Sequence, residues 1–110
     1  MTTPPIARGE VWLGEAGGKV RPVLVLTRTE VIDARTLVTV ANITSRIRGL
    51  ASEVAISDHE LGLDRPSVVN CDGIHTVKQR TLTRRLGELS DETVDRVCSA
   101  VSYAIGCAPR

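Results

Sequence analysis

The stretch Lys19-Val20-Arg21-Pro22-Val23-Leu24-Val25-Leu26 constrains this chain most. It is the most apolar run in the sequence and is rich in valine. Val20, Pro22, Leu24 and Leu26 alternate with Val23 and Val25, so a strand here is apolar on both faces. Such a strand belongs inside a sheet that is covered on both sides. Arg21 breaks the pattern, because a buried guanidinium lacks water. Pro22 has no amide hydrogen and belongs at the start or the open edge of a strand. The two together place Arg21 at the mouth of the strand, on rigid backbone, pointing into a cleft. The plainer reading is a cap lying in solvent, since most arginines are surface residues.

The rest of the chain reads as strands around this one. Arg8–Leu13 is a first strand, and Gly14–Gly18 is a short turn into the central strand, making a hairpin. A helical turn fits Glu30–Ala34. Leu37–Ile43 is the next strand: Leu37, Ala41 and Ile43 share one face, while Val38 and Val40 run into Asn42 and Thr44. Ser52–Ser57 is a short strand, and Asp58–Arg65 is a loop. Pro66–Ile74 is another strand, with Asn70 and Asp72 on one face and His75 just past its end. A buried Asp72 needs donors, and an arginine from a neighbouring strand is the obvious partner. Leu82–Glu88 is the last strand. Ser90 caps a helix whose first turn holds Asp91 and Glu92. Val94, Val97, Cys98, Val101 and Ile105 mark its apolar face, and Gly106 stops it. The order implies a mainly-β fold: a strongly bent antiparallel sheet, closed or nearly closed, with one amphipathic C-terminal helix against it.

With 110 residues, a single domain over 1–110 is expected, residues 1–7 forming a disordered or extended tail. The net charge of +1 announces no global basic field. Cations nevertheless cluster locally. Arg46 and Arg48 stand in one acid-free stretch, and His75, Lys78, Arg80, Arg84 and Arg85 in another. Trp12 and Tyr103 are the only aromatic residues, too few for base-stacking platforms of the RRM or OB kind. Cys71, Cys98 and Cys107 lack a C-x-x-C spacing, so free buried thiols in a reducing cytoplasm are expected, without a disulfide framework or zinc site. No signal peptide or membrane helix is expected. Beside Thr44 and Ser45, the two arginines suit an anion site, because a guanidinium fork matches phosphate oxygens. A plain turn closed by the two hydroxyls is the structural alternative.

Taken in order, Arg8-Gly9-Glu10-Val11-Trp12, Arg21-Pro22-Val23-Leu24-Val25-Leu26, Thr44-Ser45, Pro66-Ser67-Val68-Val69-Asn70-Cys71-Asp72 and Leu86-Gly87-Glu88-Leu89-Ser90 resemble the MazF/PemK-type toxins of bacterial toxin–antitoxin systems. The resemblance runs from Arg8 to about Gly106 and is nearest to the short mycobacterial and actinobacterial members. It implies an SH3-like barrel of the PemK/CcdB type and a homodimer. It also implies a metal-independent, sequence-specific endoribonuclease acting on single-stranded RNA (mRNA, rRNA or tRNA) in the cytoplasm. A small acidic MazE-like antitoxin would occupy the RNA groove. The family's usual catalytic pair falls on Arg21 and Thr44. Three departures stand out: the first loop is brief, Asn70 replaces an arginine that some members use, and Gly73 replaces a frequent glutamine.

RNA needs no metal to be cut, because its own 2′-hydroxyl can attack the adjacent phosphate. An arginine suits the charge of the transition state, and a threonine hydroxyl can donate to a phosphate oxygen. A guanidinium keeps its proton at any working pH, so the base must be sought elsewhere, and Asp72 and His75 are the candidates. Lys19, Ser45, Arg46, Arg48, Asn70 and Lys78 are expected to hold RNA. No cofactor and no metal are expected. The alternative is a non-enzymatic toxin like the gyrase poisons of the same fold.

Overall fold

The computed structural model describes residues 5–56 and 61–107. Six strands and two helices follow in the order β1 (Glu10–Ala16), β2 (Lys19–Val25), α1 (Thr29–Ile32), β3 (Leu37–Thr44), β4 (Glu53–Ile56), β5 (Ser67–Lys78), β6 (Leu82–Glu88) and α2 (Asp91–Ala104). The strands form one antiparallel sheet in the spatial order β4-β5-β3-β2-β1-β6. The expected mainly-β architecture with a C-terminal helix is present. Ser57 and residues 58–60 of the expected loop lie outside the described residues, as do residues 1–4 of the expected tail.

β2 is covered on both faces, as its sequence requires. Leu24 packs with Val11, Ala41, Ile43, Val69 and the helix residues Val97 and Ala100 in one core. Val23 and Val25 pack with Trp12, Ile32, Val38, Val40 and Leu82 in the other. Strands from opposite sides of the sheet thus meet in the second core, so the sheet is strongly curled. Ile6 is buried there too, which ties down the end of the expected tail.

Several boundaries differ from the sequence reading. β1 runs through Gly14, Glu15 and Ala16, and the turn is only Gly17-Gly18. Both turn glycines have positive φ (62° and 79°), the geometry of a two-residue hairpin turn matched to strand twist. Val20, expected on a core face, is 68 % exposed. The β2–β3 ladder starts only at Val23, so β3 does not pair with the residues around Val20. β5 continues to Lys78, so His75 lies inside the strand, opposite Val40. On α2, Val97 and Ala100 are the buried residues, and Ile105 is 64 % exposed. Ser90 Oγ accepts from the Thr93 amide at 3.2 Å, the expected cap. Of the cysteines, Cys71 is buried, Cys98 is half-buried and Cys107 is exposed, so the expectation of buried thiols holds fully only for Cys71.

Glu10 is a buried carboxylate (8 % exposed) at the rim of the second core. It accepts from the Ala7 amide (2.7 Å), the Trp12 indole (3.2 Å) and Arg85 Nε (2.7 Å). Burial pushes its carboxyl up, but the Arg85, Ala7 and Trp12 hydrogen bonds together hold it below the ordinary value of 4.5. A depressed carboxyl contributes stability above its unfolded pKa, and that contribution is lost as pH falls through the folded value. Glu10→Gln should cost about 1–2 kcal/mol at pH 7, Arg85 being half in water. In thermal melts from pH 7 to pH 3, the gap between wild type and variant should shrink below about pH 4.5. A gap that stays constant with pH refutes this account of the network.

Candidate active site

The site forms where β2 and β3 part. The last paired residues are Val23 and Asn42. Pro22 follows with no amide hydrogen to extend the ladder. The register carried two residues further sets Arg21 beside Thr44. Arg21 is held from the other side by its pairing with Gly14 of β1. The result is a cavity of about 360 Å³ lined by Lys19, Arg21, Asn42, Thr44, Asn70 and Asp72. Arg46, Arg48 and Leu50 of the β3–β4 loop and Glu53 at the start of β4 close it. A second hollow of about 400 Å³ shares Lys19, Arg21 and Thr44 and passes Ser45, Asp64, Arg65 and Ser67. The two make a trough with Arg21 and Thr44 at its centre.

As the sequence implies, Arg21 stands near the mouth of its strand and faces a cleft. Arg21 Nε is buried without a hydrogen-bond partner among the described residues. Thr44 Oγ1 accepts from the Arg46 amide at 3.0 Å. The turn reading of Thr44 is therefore correct, and it leaves the hydroxyl proton free to donate. Glu53 fixes the loop by accepting from the Arg48 and Leu50 amides at 3.0 and 3.2 Å. The first cavity carries four cations (Lys19, Arg21, Arg46 and Arg48) against two carboxylates (Glu53 and Asp72). Among the described residues, the only ion pairs join Arg85 to Glu10 and Glu88, so none of the four is spent on an internal partner.

Asp72 enters the cavity on a bulge. β3 advances one residue, Ala41 to Asn42, while β5 advances from Ile74 back to Asn70. Cys71, Asp72 and Gly73 are left without partners on β3. Ser52 pins the bulge from the β4 side: its carbonyl accepts the Cys71 amide at 2.9 Å, and its hydroxyl donates to Asp72 Oδ2. The expected arginine partner of Asp72 is thus replaced by a serine. The sequence reading missed Ser52 because nothing marks one serine two residues ahead of a valine strand. It also gave no role to Asn42, Glu53 or Arg65.

Two predicted residues lie elsewhere. His75 does not line the trough; its Nε2 meets Asn42 Nδ2 at 3.1 Å and reaches the cavity only through that amide. The turn glycine Gly17 closes over the His75 ring, where a Cβ would stand 3.3 Å from Cε1. Lys78 pairs with Leu37 at the far end of β3, beside a separate hollow lined by Arg35, Gln79 and Arg80. Among the described residues, no three His, Cys, Asp or Glu side chains gather as a metal site. No helix among them is long and apolar enough to cross a membrane.

Fold and trough together define a small, barrel-like β protein with a C-terminal helix and a trough rich in cations. The chain belongs to the PemK-like, MazF-like toxins of type II toxin–antitoxin systems, whose family pattern matches residues 7–105. It is 40 % identical to a probable endoribonuclease, MazF5, of Mycobacterium tuberculosis, over 98 % of this chain and 99 % of that one. It is 44 % identical to the endoribonuclease MazF3 of the same species, over 78 % and 82 %. The solved structure of the Mycobacterium tuberculosis toxin MazF-mt6 superposes with a TM-score of 0.83 at 38 % identity, over 90 % of this chain and 98 % of that one. A MazE-MazF structure from Deinococcus radiodurans gives 0.79 at 25 % identity, over 96 % and 100 %. The PemK-type barrel is therefore the fold of this chain, and the gyrase-poison alternative is not favoured.

Cys71 adjoins Asp72 but is no nucleophile. Burial pushes its thiol up to about 11, with the charges of Asp72 and Cys98 adding to the rise. A thiol-reactive probe at pH 8 should label exposed Cys107 readily and leave Cys71 unmodified until the protein unfolds. Equal labelling of both in the native state would show that the bulge opens.

Proposed function

We propose that this chain is the toxin of a toxin–antitoxin pair and cuts single-stranded RNA in the trough around Arg21 and Thr44. The observation that carries the proposal is the pairing of an uncommitted guanidinium with a threonine hydroxyl whose proton is free. The names of the curated relatives support the same activity. The protein is read as cytoplasmic and homodimeric, with one domain. A small acidic antitoxin would replace RNA phosphates with carboxylates along the trough, so inhibition is competitive with substrate.

The reaction follows from the groups present. The 2′-oxygen attacks the adjacent phosphorus, and its proton passes to a base. The bond from phosphorus to the 5′-oxygen breaks, and that oxygen takes a proton from solvent. The products are a 2′,3′-cyclic phosphate and a 5′-hydroxyl. Arg21 faces the non-bridging oxygens and neutralises the charge that builds on them. Thr44 donates its hydroxyl proton to one of the same oxygens. Asp72 is the proposed base. Glu53 is occupied by backbone amides, whereas Asp72 has one oxygen held by Ser52 and the other unclaimed. His75 serves from outside the trough, by holding Asn42. Lys19, Ser45, Arg46, Arg48 and Asn70 line the path of the strand. Lys78 meets RNA only if the strand extends along the whole β3–β5 ladder.

Arg21→Ala should fold normally and lose roughly 10²–10³ in cleavage rate. Thr44→Ala should behave likewise, while Thr44→Ser keeps part of the activity because it keeps the hydroxyl. Single-turnover cleavage of a long RNA in EDTA, with end mapping, measures both. Near-wild-type cutting by either alanine variant would remove that residue from the chemistry.

Arg46 and Arg48 are expected to bind phosphate without taking part in bond breaking. Neutralising one should weaken RNA binding and lower the slope of log affinity against log salt by about one per lost contact. An unchanged slope sinks the assignment.

A further inference from the structure

The two hollows of the trough share Lys19, Arg21 and Thr44, but their other walls differ. The first holds Asp72 together with Arg46 and Arg48. The second passes Ser45 and the segment before β5, where it meets Asp64 and Arg65. Arg65 brings this hollow a guanidinium of its own, and no ion pair among the described residues engages it. Its backbone is fixed on both sides. Leu61 lies in the first core and Leu63 packs against it. Pro66 restricts Arg65 to extended backbone, and the Ser67 hydroxyl donates to the Arg65 carbonyl at 3.0 Å. The side chain itself is exposed and open to a ligand.

The chemistry of the cut gives the two hollows an order. The attacking 2′-hydroxyl belongs to the nucleotide on the 5′ side of the scissile phosphate. The leaving 5′-oxygen belongs to the nucleotide on its 3′ side. In an in-line displacement the two oxygens stand on opposite sides of phosphorus. With the phosphorus at Arg21 and Thr44, a base in the first hollow draws the 5′ nucleotide there and leaves the second hollow to the 3′ nucleotide. The second hollow also has a carboxylate, Asp64. Asp72 is held by the Ser52 hydroxyl, and its amide donates to Asn70 Oδ1 at 3.0 Å. No hydrogen bond among the described residues holds the exposed Asp64 carboxylate. A group locked in place is the better base, so Asp72 sets the direction.

We infer that RNA lies in the trough with one fixed polarity, the 5′ nucleotide beside Asp72 and the 3′ nucleotide in the second hollow, where Arg65 binds the phosphate that follows the scissile one. The inference rests on the RNA-cleaving reading above, with Asp72 as its base. Arg46 and Arg48 then serve the strand upstream of the cut, and Arg65 serves it downstream. A strand gripped on both sides keeps its scissile phosphate against Arg21. Arg65 binds substrate and takes no part in bond breaking.

The test uses a short RNA with one mapped cut site. The phosphate next to the scissile one is replaced by an uncharged methylphosphonate, on the 5′ side or on the 3′ side. Wild type and Arg65→Ala cut each RNA in EDTA at subsaturating enzyme. The 3′ replacement should slow wild type about tenfold, the worth of one charge-assisted hydrogen bond. Arg65→Ala should be slowed about as much on the unmodified RNA and lose nothing further from the 3′ replacement, while the 5′ replacement slows both proteins alike. An Arg65→Ala variant indifferent to the 5′ replacement instead reverses the polarity and overturns the inference. Indifference of wild type to the 3′ replacement, or full sensitivity of the variant to it, removes Arg65 from the site. Placement is also read without cutting, from a 2′-O-methyl tetranucleotide carrying a nitroxide at its 3′ or 5′ end. The 3′ label should broaden the amide signals of residues 61–67, and the 5′ label those of residues 46–50. If wild type leaves all RNA uncut, the cleavage reading falls and the labels decide. The expected pattern then sustains the polarity, and the reverse pattern, equal broadening or none overturns it.

Discussion

The site depends on β2 losing its neighbour at Pro22. Up to Val23 the strand is paired on both sides and buried on both faces, which makes it the most constrained element in the protein. One residue further it keeps β1 and loses β3. The gap exposes a rigid backbone edge with Arg21 on it, at the border between a dry core and water. A guanidinium placed there is partly desolvated, so its attraction to an anion is stronger than it would be on an open surface. The rigidity of the apolar half supplies the positioning that the polar half needs.

A second departure from regular pairing answers the first across the trough. The bulge at Cys71–Gly73 turns Asp72 toward Arg21's side of the sheet, and Ser52 holds it there from β4. Without the bulge, β5 would stay in register with β3 and its residues would keep strict alternation. Val69 and Cys71 point into one core and Asn70 and Asp72 into the cavity, and the bulge frees Cys71, Asp72 and Gly73 from β3. The two irregularities together convert three neighbouring strands into a cavity without any long loop.

The legible parts of the sequence were those governed by local rules. Arg21 next to Pro22 could be placed because a proline and an arginine within a run of valines and leucines violate a simple pattern at one point. Thr44 and Asn42 were visible as polar residues gathering at one end of one strand face. Ser90 was read as a cap, and a cap it is. What was missed is non-local. The exposure of Val20 depends on where β3 stops. The exclusion of His75 from the trough depends on a three-residue bulge whose one local sign is Gly73, a glycine inside a strand pattern. Glu53 acts on backbone amides of the loop before it, and Ser52 on the Cys71 amide and the distant Asp72 carboxylate, pairings that a sequence does not show.

The charge layout explains how a chain of net charge +1 can hold a polyanion. Glu10 and Glu88 answer Arg85 on the far edge of the sheet, where the pair serves the fold. Glu53 is turned inward onto backbone amides, so its charge is spent on shaping the loop that carries Arg46 and Arg48. The acidic residues Asp91 and Glu92 sit at the helix N-terminus, matched to its dipole. These five carboxylates thus have structural work away from the trough or a backbone partner within it, and the trough cations do not. Local field, and not total charge, decides where a phosphate settles, because screening limits each charge to a reach of about 10 Å. The same layout keeps the residues of the site outside both apolar cores. Substitutions at Arg21 or Thr44 therefore act on the chemistry while the cores and the Glu10 network continue to hold the fold.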